Sequence, residues 1–327
     1  SCYLKNKKYE EAVNFYKKLA KKNPNDQEYL TNLATALIES LYFDEGMQTL
    51  EQLLDKNISN RRALSSYLFN QNYNPQFNPD KINNYIKKFN QSSKNNNLNI
   101  ANFCYKKNSE KINIGFVSPD FRSHPVGYAL TNVIEHLKHY NFNLFGYYSF
   151  SLRDELTDKF KRDFDYFCNI TDLNDEQAIN KIRSDGIHIL IDLAGYTFNN
   201  RLSIFLNNPA PIQISMLGYL GTTGIKEVKY KIGDPYIYPK NIEKNFSEKI
   251  LRLPNIWSNF TVKQNFDITK SSLGEKNDEI IFGCFVTLRK INDDVIKLWS
   301  KVLKKFTNTK IYFKAPELNN SLIEKKL

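Results

Sequence analysis

The chain has 327 residues, 41% hydrophobic and 25% charged, with a formal net charge of +11 and a pI of about 9.2. That length supports two or three domains with a sizeable core, and the apolar content excludes a disordered chain. The lysines are interleaved with acids and form no basic stripe, so the charge reads as a compositional bias and not as a nucleic-acid face.

Cys2, Cys104, Cys168 and Cys284 lie far apart. This excludes the paired spacing of a zinc site and gives no disulfide framework, as fits a reducing compartment. No apolar stretch is long enough to span a membrane, and no signal peptide is visible. A cytoplasmic location is expected, or a nuclear one if the source is eukaryotic.

Residues 1–58 read as a helical repeat. Ala12 and Gly46, Tyr16 and Leu50, and Leu19 and Leu53 fall in register at a spacing of about 34 residues, the tetratricopeptide period. Residues 28–40 supply the opening helix of the second unit. Such arrays bind extended peptides in a groove; a helical cap on the next domain is the alternative. Residues 59–108 read as a helical linker, with helices at 60–70 and 78–90 and a domain boundary near residue 108.

Residues 109–265 read as an α/β domain. Strands are expected at 112–117, 144–150, 187–193, 212–217, 230–233 and 249–253, and helices at 126–139, 154–164, 175–184 and 198–206. This alternation implies a parallel, doubly wound sheet. Gly218, Gly221 and Gly224 follow one strand at its carboxyl end, where ligands sit in such sheets and where glycines let backbone N–H groups approach an anion. Residues 266–327 start a second unit of the same kind, with strands at 279–285 and 310–314 around a helix at 293–306. The chain is expected to be truncated at both ends.

The chemistry-bearing candidates are few. His124 follows the first strand, and His188 lies in a later one. Both are expected near the crevice formed at the strands' carboxyl ends, where imidazoles serve as acids, bases or hydrogen-bond partners. The plain alternatives are a helix cap for His124 and a buried, hydrogen-bonded histidine for His188. Asp120, Asp185 and Asp192 stand near strand ends, where carboxylates also serve as caps and turns. Lys290, next to Arg289 after the strand at 279–285, either holds a phosphate or belongs to a solvated basic pair. No dinucleotide, Walker or nucleophile-elbow motif is present.

Several blocks together resemble the tetratricopeptide-linked O-linked N-acetylglucosamine transferase family, which includes the SPINDLY-type O-fucosyltransferases. They are Gly115-Phe-Val-Ser-Pro-Asp-Phe-Arg-Ser-His-Pro-Val-Gly-Tyr128, Asp185-Gly-Ile-His-Ile-Leu-Ile-Asp-Leu-Ala-Gly-Tyr-Thr197, Asn208-Pro-Ala-Pro-Ile-Gln213, Leu217-Gly-Tyr-Leu-Gly-Thr-Thr-Gly224 and Phe282-Gly-Cys-Phe-Val-Thr-Leu-Arg-Lys-Ile291. The resemblance implies a GT-B fold: a Rossmann-like first lobe and the start of a second Rossmann-like lobe, preceded by the repeats. It implies inverting transfer of N-acetylglucosamine from UDP-GlcNAc to Ser or Thr of proteins, with no cofactor and no metal. The expected partners are a nucleotide sugar and a protein acceptor held by the repeats.

By the same match His124 resembles the histidine lining the family's active-site cleft, and His188 the one near the donor sugar. Asp185 resembles a carboxylate proposed to assist proton transfer, and Lys290 the lysine that neutralises the leaving diphosphate. Tyr196, Thr197, Leu217, Gly218, Leu220, Gly221 and Thr287 fall at positions expected to border the donor. Leu220 departs from the family's usual proline, and Val286 and Thr287 depart from its polar amides. The alternatives are a GDP-fucose or UDP-glucose donor, a non-catalytic peptide-binding scaffold, or a nucleic-acid binder. This chain alone is expected to transfer sugar very poorly.

Overall fold

In the computed structural model, the described residues are 6, 8–93, 111–259, 279–306, 308–315 and 318. They form two compact units. The first is drawn from the described residues within 1–63, 70–75 and 265–327, and the second from those within 64–69 and 76–264. The boundaries expected near residue 108 and at 265/266 lie outside the described residues, as do Cys2 and Cys104.

The first unit begins with α1 (Tyr9–Lys22), α2 (Gln27–Glu39) and α3 (Phe43–Lys56). Asp26 caps α2 by accepting from the Glu28 and Tyr29 amides at 2.9 and 3.0 Å. Ala12, Val13 and Tyr16 of α1 pack on Leu33, Ala36 and Leu37 of α2. Gly46 is where α3 comes closest to α2: a Cβ there would stand 2.5 Å from Ile38 Cγ1 and 2.9 Å from the Ala34 carbonyl oxygen. The small positions of the repeat are thus places where helices touch. The next helix, α4 (Arg61–Asn70), contributes to both units.

The second unit contains α5 (Pro79–Ser93) and a seven-stranded sheet. Its strands are β1 (Ile112–Ser118), β2 (Phe142–Tyr148), β3 (Tyr166–Asn169), β4 (Ile189–Asp192), β5 (Ile212–Ser215), β6 (Tyr230–Gly233) and β7 (Lys249–Arg252). They run in the order β3-β2-β1-β4-β5-β6-β7, all parallel. Between strands come α6 (Pro125–Leu137), α7 (Glu155–Asp163), α8 (Asp175–Ser184) and the short α9 (Leu202–Phe205). Asn174 caps α8 in a reciprocal box with Gln177. Phe116, Phe121, Leu130, Ile134, Leu144 and Phe160 form the centre of the core beside the sheet.

Two elements differ from the sequence reading. β3 is an added edge strand, only four residues long and nowhere fully buried, and its apolar run Tyr166-Phe-Cys168 is too short to stand out as a strand. The helix expected over 198–206 shrinks to α9. Asn199 takes a φ of 57°, and Asn200 uses its side chain on the Thr197 carbonyl at 2.7 Å and the Leu202 amide at 3.3 Å. Such side-chain bonds compete with helix formation.

The first unit ends with β8 (Ile280–Cys284), α10 (Asp293–Lys305) and β9 (Thr309–Phe313). β8 and β9 pair in parallel, Ile280 beside Thr309, which is a strand–helix–strand start to a second Rossmann-like sheet.

Candidate functional site

The order of the large sheet reverses at β1: β2 lies on one side and β4 on the other. In open α/β sheets the crevice beyond the strands' carboxyl ends at such a point is the ligand position. Three loops meet there, after β1, β4 and β5. The Leu193 amide donates to the Val117 carbonyl at 3.1 Å, and the Gly218 amide to the Leu193 carbonyl at 3.2 Å.

The β1 loop carries His124, which serves as the N-cap of α6. Its Nδ1 accepts from the Val126 amide at 3.3 Å, and Pro125 fills the first helical position. That contact needs a lone pair on Nδ1, so the neutral ring carries its proton on Nε2. Asp120 Oδ2 lies 3.5 Å from the same nitrogen, and Arg122 donates to Asp120 Oδ1 at 3.1 Å. Burial lowers the His124 pKa and raises that of Asp120, and each partly offsets the other's shift. Gly127 lets the loop lie on the helix, since a Cβ there would sit 2.2 Å from the Arg122 carbonyl oxygen.

The β4 loop is shaped by Asp192, which is buried. Its oxygens accept from the Ala194 and Gly195 amides at 3.1 and 2.9 Å. Burial pushes its carboxyl up to about 6 against these hydrogen bonds. Gly195 has a φ of 55° and faces Tyr219, leaving no room for a side chain. Tyr196 is buried and donates to the Thr223 carbonyl at 2.8 Å. Thr197 folds back on the Ala194 carbonyl at 2.9 Å.

The β5 loop runs through Leu217, whose φ is 61°, Gly218, Leu220 and Gly221. Leu220 is exposed, while its carbonyl accepts from Tyr238 at 3.1 Å. Behind this loop lies a network of buried charges. Lys231 of β6 is fully buried, and its ammonium donates to the Tyr219 carbonyl at 2.9 Å and to Ser215 at 3.2 Å. Ser215 in turn donates to Asp192 Oδ2 at 3.3 Å. Glu248 accepts from the Thr223 amide at 2.7 Å and from the Thr222 and Thr223 hydroxyls. Burial lowers the Lys231 pKa while Glu248 and Asp192 raise it. Three charges and two threonines thus hold the loop's shape. From sequence, Lys231 looks like an ordinary solvent-facing lysine; its one signal is a position between the bulky residues of a short strand.

Asp185 and His188 are not brought to this crevice. β4 runs parallel to β1 with Ile189 beside Ile114, so His188, just before β4, lies at the sheet's amino edge. Its Nδ1 accepts from the Asn113 amide at 3.0 Å. From Asn113 to the end of β1 is a run of about 16 Å. Asp185 ends α8 at the same edge, where Tyr147 donates to it at 2.7 Å and Lys181 pairs with it. The apolar run at 187–193 marks the strand correctly, but the histidine falls at the end opposite to the one expected.

Lys290 and Thr287 belong to the first unit. Lys290 is exposed and closes a single 3₁₀ turn, Leu288–Lys290, just beyond β8, with its amide donating to the Thr287 carbonyl at 3.0 Å. Among the described residues, no helix is long and apolar enough to cross a membrane.

Comparison with known proteins draws these parts together. Residues 87–266 match glycosyl transferase family 41, and residues 3–64 match a tetratricopeptide repeat family. The probable UDP-N-acetylglucosamine–peptide N-acetylglucosaminyltransferase SEC of Arabidopsis thaliana is 30% identical over 213 residues, 62% of this chain and 22% of that protein. The Solanum lycopersicum relative, named SPINDLY, is 29% identical over 62% of this chain and 22% of its own. A Caenorhabditis elegans UDP-N-acetylglucosamine–peptide N-acetylglucosaminyltransferase is 32% identical over 45% of this chain and 13% of its own. The chain therefore spans about a fifth of the length of these plant relatives. A solved Thermobaculum terrenum O-GlcNAc transferase mutant shares the fold: TM-score 0.86 at 24% identity, covering 97% of this chain and 61% of that one.

Proposed function

Because the chain belongs to glycosyl transferase family 41, we propose that it is part of a protein O-GlcNAc transferase. In this reading the whole protein moves N-acetylglucosamine from UDP-GlcNAc to a Ser or Thr hydroxyl. The acceptor oxygen attacks the anomeric carbon from the side opposite the diphosphate. The bond from that carbon to the phosphate oxygen breaks, UDP leaves, and configuration inverts. No metal or cofactor enters.

The observation that carries this reading is the preformed carboxyl edge at the β1–β4 reversal. It combines His124, fixed with its proton on Nε2, with a loop at Leu217, Gly218, Leu220 and Gly221 held by buried charges. In that role Nε2 donates to the donor's oxygens, and the loop borders the sugar and diphosphate together with Tyr196 and Thr197. Lys290 supplies a cation where the departing diphosphate gains negative charge, with Thr287 at the start of its turn; a fixed ammonium there is worth about 3 kcal/mol. Asp185 and His188, engaged at the other edge, are better suited to holding the register of β1, β4 and α8 than to touching the reacting atoms. The repeats bind the polypeptide acceptor.

The test is transfer by the full-length protein from UDP-GlcNAc to a Ser/Thr peptide, with Lys290→Ala beside it. Transfer that falls at least about 100-fold in the variant supports the reading. Transfer from GDP-fucose alone overturns the donor, and no loss in Lys290→Ala overturns the lysine's role.

A further inference from the structure

Arg289 and Lys290 are adjacent, and a solvated basic pair is the plain reading of the sequence. The structure gives them different surroundings. Lys290 is exposed. Arg289 is turned onto the helical repeat. Its guanidinium lies 3.2 Å from Glu39 Oε1 at the end of α2, and these side chains are only 20% and 24% exposed. It donates to Asn70 Oδ1, at the end of α4, at 3.3 Å. Its Cζ lies 5.2 Å from the centre of the Tyr73 ring. One residue earlier, Leu288 is buried beside Tyr9 of α1.

A lone 3₁₀ turn has weak internal hydrogen bonding and little stiffness of its own. Here it is closed by the Lys290 and Ile291 amides, at 3.0 and 2.9 Å. Its backbone must therefore be placed by what its side chains grip. A guanidinium suits this, because its planar fork meets a carboxylate and an amide in fixed directions while its face covers an aromatic ring.

We propose that Arg289 is a positioning residue: through Glu39, Asn70 and Tyr73 it fixes the turn that presents Lys290, making the repeat helices part of the scaffold on the donor side. The proposal rests on the reading of Lys290 given above. It gives the repeat a second task besides holding acceptor polypeptide.

Hydrogen exchange on the 327-residue chain reads the clamp with no donor present. Arg289→Ala and Glu39→Ala are each expected to speed exchange of the Lys290 and Ile291 amides about tenfold. The paired swap, Arg289→Glu with Glu39→Arg, returns it most of the way. Exchange in Arg289→Ala equal to the parent, or a swap no slower than the single variants, overturns the clamp. In the full-length protein Arg289→Ala is expected to lower kcat about tenfold with KM for UDP-GlcNAc nearly unchanged, and the swap to recover kcat. Faster exchange with kcat intact overturns the positioning role. A parent protein with no transfer activity overturns the reading of Lys290 and leaves the exchange result standing.

Discussion

The two parallel sheets are built from similar strands and end up in different environments. β4 reads Ile-Leu-Ile-Asp, and its Leu190 and Ile191 are 0% and 8% exposed. β8 reads Ile-Ile-Phe-Gly-Cys, and its Ile280, Ile281 and Phe282 are 50%, 44% and 41% exposed. β4 has a strand on each side and helices packed on the sheet, whereas β8, among the described residues, has one partner strand and one crossover helix. An apolar strand states what its faces need, and only neighbouring layers supply it.

The sharpest way to break this comparison is to remove one lysine from each sheet. Lys231→Ala takes the cation from between Asp192 and Glu248, and at pH 8 a loss of about 3 kcal/mol is expected in urea unfolding. Lys310→Ala in β9 removes a partner of Glu279 that is itself 58% exposed and should leave the same curve unmoved. Equal effects would mean that the two sheets are equally covered. Apolar truncation asks the same question more gently. Leu190→Ala should cost about 2–4 kcal/mol and Ile281→Ala less than about 1 kcal/mol.

Asp192 gives the covered sheet a pH signature. Its carboxyl is held at about 6, above the ordinary value near 3.9, so the folded chain binds this proton more tightly than the unfolded one does. Its contribution is complete below about pH 4 and is lost as the pH rises through about 6, a change of up to about 3 kcal/mol. The stability difference between the parent and Asp192→Asn should therefore vary across that window, and a constant difference would contradict the assignment. His124 contributes less than Lys231 or Leu190. Its replacement by alanine removes the cap of α6 and should cost about 1 kcal/mol in the same unfolding curve.

What the sequence showed and what it hid follow from the range of each interaction. The repeat register, the strand at residues 112–117 and the capped start of α8 are local patterns, and they appear where the spacing puts them. The glycine loop after β5 is legible because a chain folded back on itself tolerates only glycine at positions 218 and 221, where a Cβ would meet the Leu193 carbonyl oxygen and the Tyr219 ring. β3 is hidden because its apolar run, Tyr166-Phe-Cys168, is only three residues long. The place of His188 is not legible, because an apolar run gives a strand's extent but not which end of the sheet a residue at its border faces. Lys231 and Arg289 were hidden for a stronger reason. A buried cation and a solvated one are the same letter, and the partners that decide between them lie far along the chain.

Asn90 of α5 donates to the Gly224 carbonyl at 2.8 Å across 134 residues of chain, and Gly224, with a φ of 61°, leaves no space for a side chain against Ile86. The order in which the chain is made then matters. α5 leaves the ribosome on the order of 10 s before the loop it braces. Through that interval part of its apolar face, Ile86 included, waits for a partner not yet synthesised. The glycine loop is consequently a late assembly product, and the helix that completes it is exposed to chaperones and proteases during translation.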